Sequence, residues 1–188
     1  MTQTAMENAQ LNGVDVAALL GAREALEKAP EAAKFAWKAT SEWKDGVHTR
    51  TEINGFYGLG EEQTRTKTFT IETDHPEVFA APDLAPTPVE LVLSGLAGCL
   101  TGGIASVAEN RGIKLNSVKA TIEGDMDLYG ILGIDPAVRN GFNAVRVHFD
   151  IDADANLEDI EALVAQSQKR SAVFDIITNP TNIFVTVA

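Results

Sequence analysis

The chain holds a single cysteine, Cys99, inside PVELVLSGLAGCLTGGIASVAENRG, residues 88–112. A thiol in a glycine-peppered apolar run can be inert core, part of a membrane span, or the reacting atom of an enzyme. A reactive thiol needs its thiolate stabilised. The helix that this run predicts cannot supply that from its own start. Cys99 lies about a dozen residues past the expected cap, roughly 18 Å along the axis, whereas the helix dipole acts within the first turn. A cation from elsewhere is then required. The candidates are Arg50 and Arg65, in strand-like stretches, with His48 behind them.

The helix itself is well signalled. Thr87 can cap it, Pro88 suits the first helical position, and Glu90 completes a capping box. Gly112 is placed for a left-handed stop. Gly95, Gly98, Gly102 and Gly103 each cost about 1 kcal/mol against alanine in a helix interior, roughly 4 kcal/mol together. Close approach is the compensation they point to. Gly95, Gly102 and Gly103 stand three or four positions from Cys99 and share its stripe, which should face a helix or sheet at short distance. Residues 91–108 carry no charge, and Gly98 to Gly102 has the GxxxG spacing. Ser94, Thr101, Ser106 and the glycines lower the hydropathy, no aromatic belt is present, and strand patterns surround the run. A buried helix in a soluble fold is the better reading, with no membrane partner.

The flanking segments supply the scaffold. VDVAALLGAREALEKA, 14–29, reads as an amphipathic helix stopped by Pro30. FAWKATSEWKDGVHTRTEINGF, 35–56, predicts a hairpin about Asp45-Gly46, and TRTKTFTIET, 64–73, a third strand. SVKATIEGDMDL (117–128) and NAVRVHFDID (143–152) are strand-like, joined by a loop, YGILGIDPAVRNG. NLEDIEALVAQSQKR, 156–170, is an amphipathic helix with acids first and bases last. A short helix over 172–178 and a terminal strand, NIFVTVA, close the chain. The expected fold class is α+β with antiparallel sheet, in a domain of residues 35–188 preceded by a helical arm, residues 1–34.

Composition narrows function. The net charge of −12, from 15 basic and 27 acidic residues, disfavours nucleic acid as a partner. One cysteine excludes an intramolecular disulfide and a cysteine-based zinc site. No cluster has metal-ligand spacing and no glycine pattern suits phosphate, so neither metal nor cofactor is expected. The N-terminus lacks a basic and apolar leader, which favours a cytoplasmic setting.

Taken together, four motifs resemble the OsmC/Ohr family of thiol-dependent hydroperoxide reductases, over about residues 35–188. The run PTPVELVLSGLAGCLTGGIASVAENRGI resembles its signature helix, and SAVFDIITNP the segment around its second cysteine. EWKDGVHTRTEINGFYG and EGDMDLYGILGIDPAVRNGF are similar to a less characterised OsmC-like branch. The resemblance implies an interdigitated homodimer with antiparallel sheets around central cysteine helices. It implies that Cys99 is the peroxidatic residue, supported by an arginine, here Arg50 or Arg65, that a glutamate holds. Val89 replaces the glutamate usual for that role. Glu90 matches a second one and already has a capping role. Ser171 stands where the resolving cysteine falls, so a two-cysteine cycle within one chain is impossible.

Other residues have plain roles as well. His48 suits an exposed strand position, Arg50 can pair with surface acids, Ser171 can cap the short helix, and Asp175 can be a solvated or capping acid. Two functions are carried forward. One is a one-cysteine cycle at Cys99 on organic hydroperoxides, with an external thiol reductant. The other is a non-catalytic dimer binding a hydrophobic small molecule.

Overall fold

The central helix α2, Pro88–Arg111, begins and ends where its capping residues direct. The Thr87 amide and hydroxyl both donate to the Glu90 carboxylate, at 2.7 and 3.0 Å, and the Glu90 amide donates back to Thr87 Oγ1. This is the reciprocal capping box. Gly112 takes a left-handed φ of 69° while the Ile113 amide reaches back to the Ala108 carbonyl, closing the C-terminus. This computed structural model describes residues 10–187; the first nine residues of the expected arm lie outside the described residues.

The chain divides into two compact units, residues 17–92 in one, and residues up to Val16 together with 93–188 in the other. The first unit contains α1, Val16–Lys28, apart from its first residue, and β1–β4: Ala36–Trp37, Thr40–Asp45, His48–Gly58 and Glu61–Thr73. β3 pairs antiparallel with β1, β2 and β4. The hairpin falls as expected, but Asp45 pairs with His48, so Gly46 and Val47 form the turn, with Gly46 at φ 53°. Among the described residues of this unit only Gly58, Thr73 and Asp74 are buried. Its sheet carries aromatic side chains that its own chain leaves exposed, among them Trp37 and Trp43.

Asp74 closes the segment that leads to α2. Its Oδ2 accepts from the Leu84 amide at 2.9 Å, and its own amide donates to the Pro86 carbonyl. The Leu84 bond is the main reason that its carboxyl lies below the ordinary range, against the opposing cost of burial.

In the second unit, β5 (Leu115–Asp125) and β6 (Ala144–Ala153) form an antiparallel ribbon. Between them lies α3, Leu128–Ile131, capped by Asp127. The sequence suggested only a loop there; an Asx cap on four residues is too short for periodicity to reveal. Ile104, Val107 and Ala108 of α2 and Leu163 of α4 (Leu157–Arg170) form the buried core, with Val118, Phe149 and Ile151 of the ribbon packed against it. By length and composition α2 could cross a bilayer. Its row of Leu96, Leu100, Ile104, Val107 and Ala108 is instead buried within the chain.

Two expectations need correction. Residues 180–187 form no strand, and Ile183, Phe184, Val185 and Val187 are each at least 81% exposed. A strand exists only with a pairing partner, and the described chain offers this segment none. The glycine stripe is also only partly packed. A Cβ on Gly103 would meet Ser167 Oγ at 2.3 Å, but one on Gly95, Gly98 or Gly102 would meet nothing within 4 Å.

Candidate active site

Cys99 is half-buried on α2, facing the start of the seven-residue helix α5, Ala172–Thr178. Ser171 joins α4 to α5 and is itself buried. Its hydroxyl does two things at once. It donates to Cys99 Sγ at 3.1 Å and accepts the Phe174 amide at 3.1 Å, capping α5. The thiol is held below its ordinary pKa, first by the Ser171 hydroxyl and then by the backbone N–H groups of Val173 and Ala172, while burial opposes them. Each donor favours the thiolate over the thiol.

These donors are a source of stabilisation beside the cation that the sequence predicts. The start of α2 is as remote as its length implies, and it is α5 that turns donors onto the sulfur. The resemblance contained the signal: residues that form a disulfide elsewhere in a family must be neighbours, so position 171 had to lie against position 99. The amides of Ala172 and Val173 had no signal in residue type, because any residue carries an N–H.

The other site candidates are placed as follows. Arg50 lies on β3, its Nη2 3.8 Å from Glu52 Oε1, beside a cavity of about 250 Å³ that Glu42 and Lys44 also line. His48 Nε2 is 3.4 Å from Glu72 Oε2. It is only 18% exposed, not the open strand histidine expected. Arg65 lies 5.5 Å from the ring centroids of both Phe56 and Phe69. Glu90 is engaged by Thr87 in the cap. Asp175 accepts the Asn179 side-chain amide at 2.9 Å. With Ser171, Lys169 and Phe174 it lines a groove of about 380 Å³ between α4 and α5. Of the candidates, the structure brings Cys99 and Ser171 into direct contact. Among the described residues no group of three His, Cys, Asp or Glu side chains could hold a metal ion.

The model of the OsmC-like protein family matches residues 81–186, more than half of the chain, so the protein belongs to that family. Solved structures agree on the fold. An OsmC-like protein from Mycoplasma pneumoniae superposes with a TM-score of 0.58 at 17% identity, covering 76% of this chain and 86% of that one. A putative osmotic stress induced and detoxification response protein from Psychrobacter arcticus gives 0.53 at 15%, covering 73% and 85%. An organic hydroperoxide resistance protein OsmC from Legionella pneumophila gives 0.52 at 22%, covering 75% and 89%. A comparison with curated proteins finds no match.

Proposed function

We propose that this protein is a cytoplasmic thiol-dependent reductase of organic hydroperoxides that works through Cys99 alone. The observation that carries the reading is the contact of Ser171 Oγ with Cys99 Sγ, in a site that lowers the thiol pKa. The Legionella relative, named for organic hydroperoxide resistance, supports the substrate class.

The steps balance without a metal or cofactor. The Cys99 thiolate attacks the terminal oxygen of the hydroperoxide, the O–O bond breaks, and the alcohol leaves after taking a proton. Cys99 is then a sulfenic acid. Ser171 has no thiol with which to condense, so an external thiol attacks the sulfenic sulfur and releases water. A second external thiol cleaves the mixed disulfide, restoring Cys99 and forming the external disulfide.

The working unit we propose is a homodimer. The first unit's sheet buries almost nothing of its own, the segment 183–187 is apolar and unpaired, and Gly95, Gly98 and Gly102 present a bare backbone. Features of this kind are expected of a chain whose core is completed by a copy of itself.

The decisive experiment follows the rate at which an organic hydroperoxide and hydrogen peroxide oxidise Cys99, by mass spectrometry across pH. Sulfenic acid forming faster with the organic oxidant, and persisting below neutral pH, is the expected result. Oxidation no faster than that of a free cysteine would remove Cys99 from catalysis. It would leave the second reading, a non-catalytic dimer that binds a hydrophobic small molecule.

A further inference from the structure

Asn12 fastens the N-terminal arm to the junction of α2 and β5, all within the second unit. Residues 10–15 belong to no helix or strand, and Leu11 stays 47% exposed, so burial does little to hold them. Hydrogen bonds hold them instead. The Asn12 side chain acts as a short piece of strand beside the chain entering β5. Its Nδ2 donates to the Ile113 carbonyl at 2.9 Å, and its Oδ1 accepts the Leu115 amide at 2.8 Å. The backbone N–H groups of Leu11 and Asn12 converge on the Glu109 carboxylate, the first donating to Oε1 at 2.8 Å and the second to Oε2. Two successive N–H groups form a concavity suited to an anion, and the ionised acceptor strengthens both bonds. Gly13, at φ 76°, then turns the chain away.

Glu109 is an unfavourable acid for its place. It lies in the last turn of α2, where the negative end of the helix dipole opposes a carboxylate. The two arm amides offset that repulsion. The same turn is closed by the Gly112 amide, which donates to the Glu109 carbonyl at 3.0 Å, and by the Ile113 amide, which donates to the Ala108 carbonyl at 2.9 Å. Glu109 and Ile113 therefore each serve two purposes: both hold the arm, and both close the helix.

We propose that residues 11–13 are a releasable clasp, through which the arm sets whether the end of α2, the helix that carries Cys99, is closed or open. Fastened, the clasp supplies the donors that make Glu109 tolerable and ties Ile113 and Leu115 in place. Released, it leaves the Glu109 carboxylate against the dipole and strips the Ile113 carbonyl and the Leu115 amide of their partner. The last turn then opens with the arm, while Ile104, Ala108 and Leu163 stay packed in the core. The device consists of hydrogen bonds alone and does not depend on the thiol chemistry.

Amide hydrogen exchange tests this, read residue by residue by NMR on the full chain as wild type, Asn12→Ala and Glu109→Gln. In the wild type, Leu11, Asn12, Gly112, Ile113 and Leu115 should exchange as one group, at least about tenfold faster than Ile104 and Ala108. Asn12→Ala should speed the Gly112 and Ile113 amides about tenfold or more, although the Asn12 side chain bonds to neither. Glu109→Gln should speed the Leu115 amide, which its side chain does not touch. Ile104 and Ala108 should keep their rates in both variants. A loss confined to the amides whose own partner was removed, Leu115 in the first variant and Leu11 and Asn12 in the second, would overturn the proposal. So would Leu115 exchanging together with Ile104 and Ala108, because the segment would then open only when the whole unit unfolds.

Discussion

The Ser171 hydroxyl stands 3.1 Å from Cys99 Sγ and 3.1 Å from the Phe174 amide, so one side chain caps a helix and donates to a thiol. Ser171→Ala separates the two roles. Losing a cap costs about 1 kcal/mol of stability. Losing the donor raises the Cys99 pKa, so the thiolate fraction at neutral pH falls and alkylation by iodoacetamide slows. The midpoint of the alkylation rate against pH should move up in the variant. An unmoved midpoint would mean that the backbone amides of α5 hold the thiolate by themselves. The linkage has a definite sign. A thiol with a depressed folded pKa adds stability above its unfolded value and loses it as pH falls through the folded value.

The same contact predicts the outcome of restoring a cysteine. Ser171→Cys brings a second sulfur against the first at a position where the native side chains already touch, as a disulfide requires. Treated with an organic hydroperoxide, this variant should lose both free thiols and yield an intramolecular disulfide, with no external thiol needed for the first turnover. Thiol titration and peptide mapping report it directly. If the oxidised variant retains one free thiol and a sulfenic acid, the two side chains do not approach in the way described.

These two residues also show what was legible in the sequence. Cys99, its helix and its caps could be read from residue types, since Thr87, Pro88, Glu90 and Gly112 each carry a local signal. The place of Ser171 could be read only through resemblance, because 72 positions separate it from Cys99 and no periodicity spans that distance. The N–H groups that complete the site could not be read at all. NIFVTVA fails for a different reason. Its alternation specifies a strand, but pairing is a property of the partner, and the described residues supply none.

Asp74 gives a prediction at acid pH. Its carboxyl is held below the ordinary range chiefly by the Leu84 amide, so the folded chain takes up this proton less readily than the unfolded one. The group therefore contributes stability at neutral pH that is lost as pH falls through its folded value. Asp74→Asn keeps an oxygen for the Leu84 amide but cannot titrate. Urea unfolding should find the variant weaker at neutral pH, with the gap closing between about pH 5 and pH 2. A gap constant across that range would mean that the charge on Asp74 contributes nothing.

The glycines of α2 separate packing within the chain from packing between chains. Gly103→Ala drives a methyl into Ser167, whose hydroxyl is buried and bonded to the Leu100 carbonyl at 2.7 Å. Overpacking of this kind costs about 1–3 kcal/mol and should appear as a lower urea midpoint at any protein concentration. Gly98 and Gly102 have open space where a Cβ would go. Within one chain, alanine at either should stabilise the helix by about 1 kcal/mol. Between two chains the same methyl keeps the backbones apart. If the stripe is the dimer contact, Gly98→Ala and Gly102→Ala will raise the dimer dissociation constant in sedimentation while the helix itself becomes more stable. If both variants sediment as the wild type does and simply melt later, the stripe is not a contact between chains.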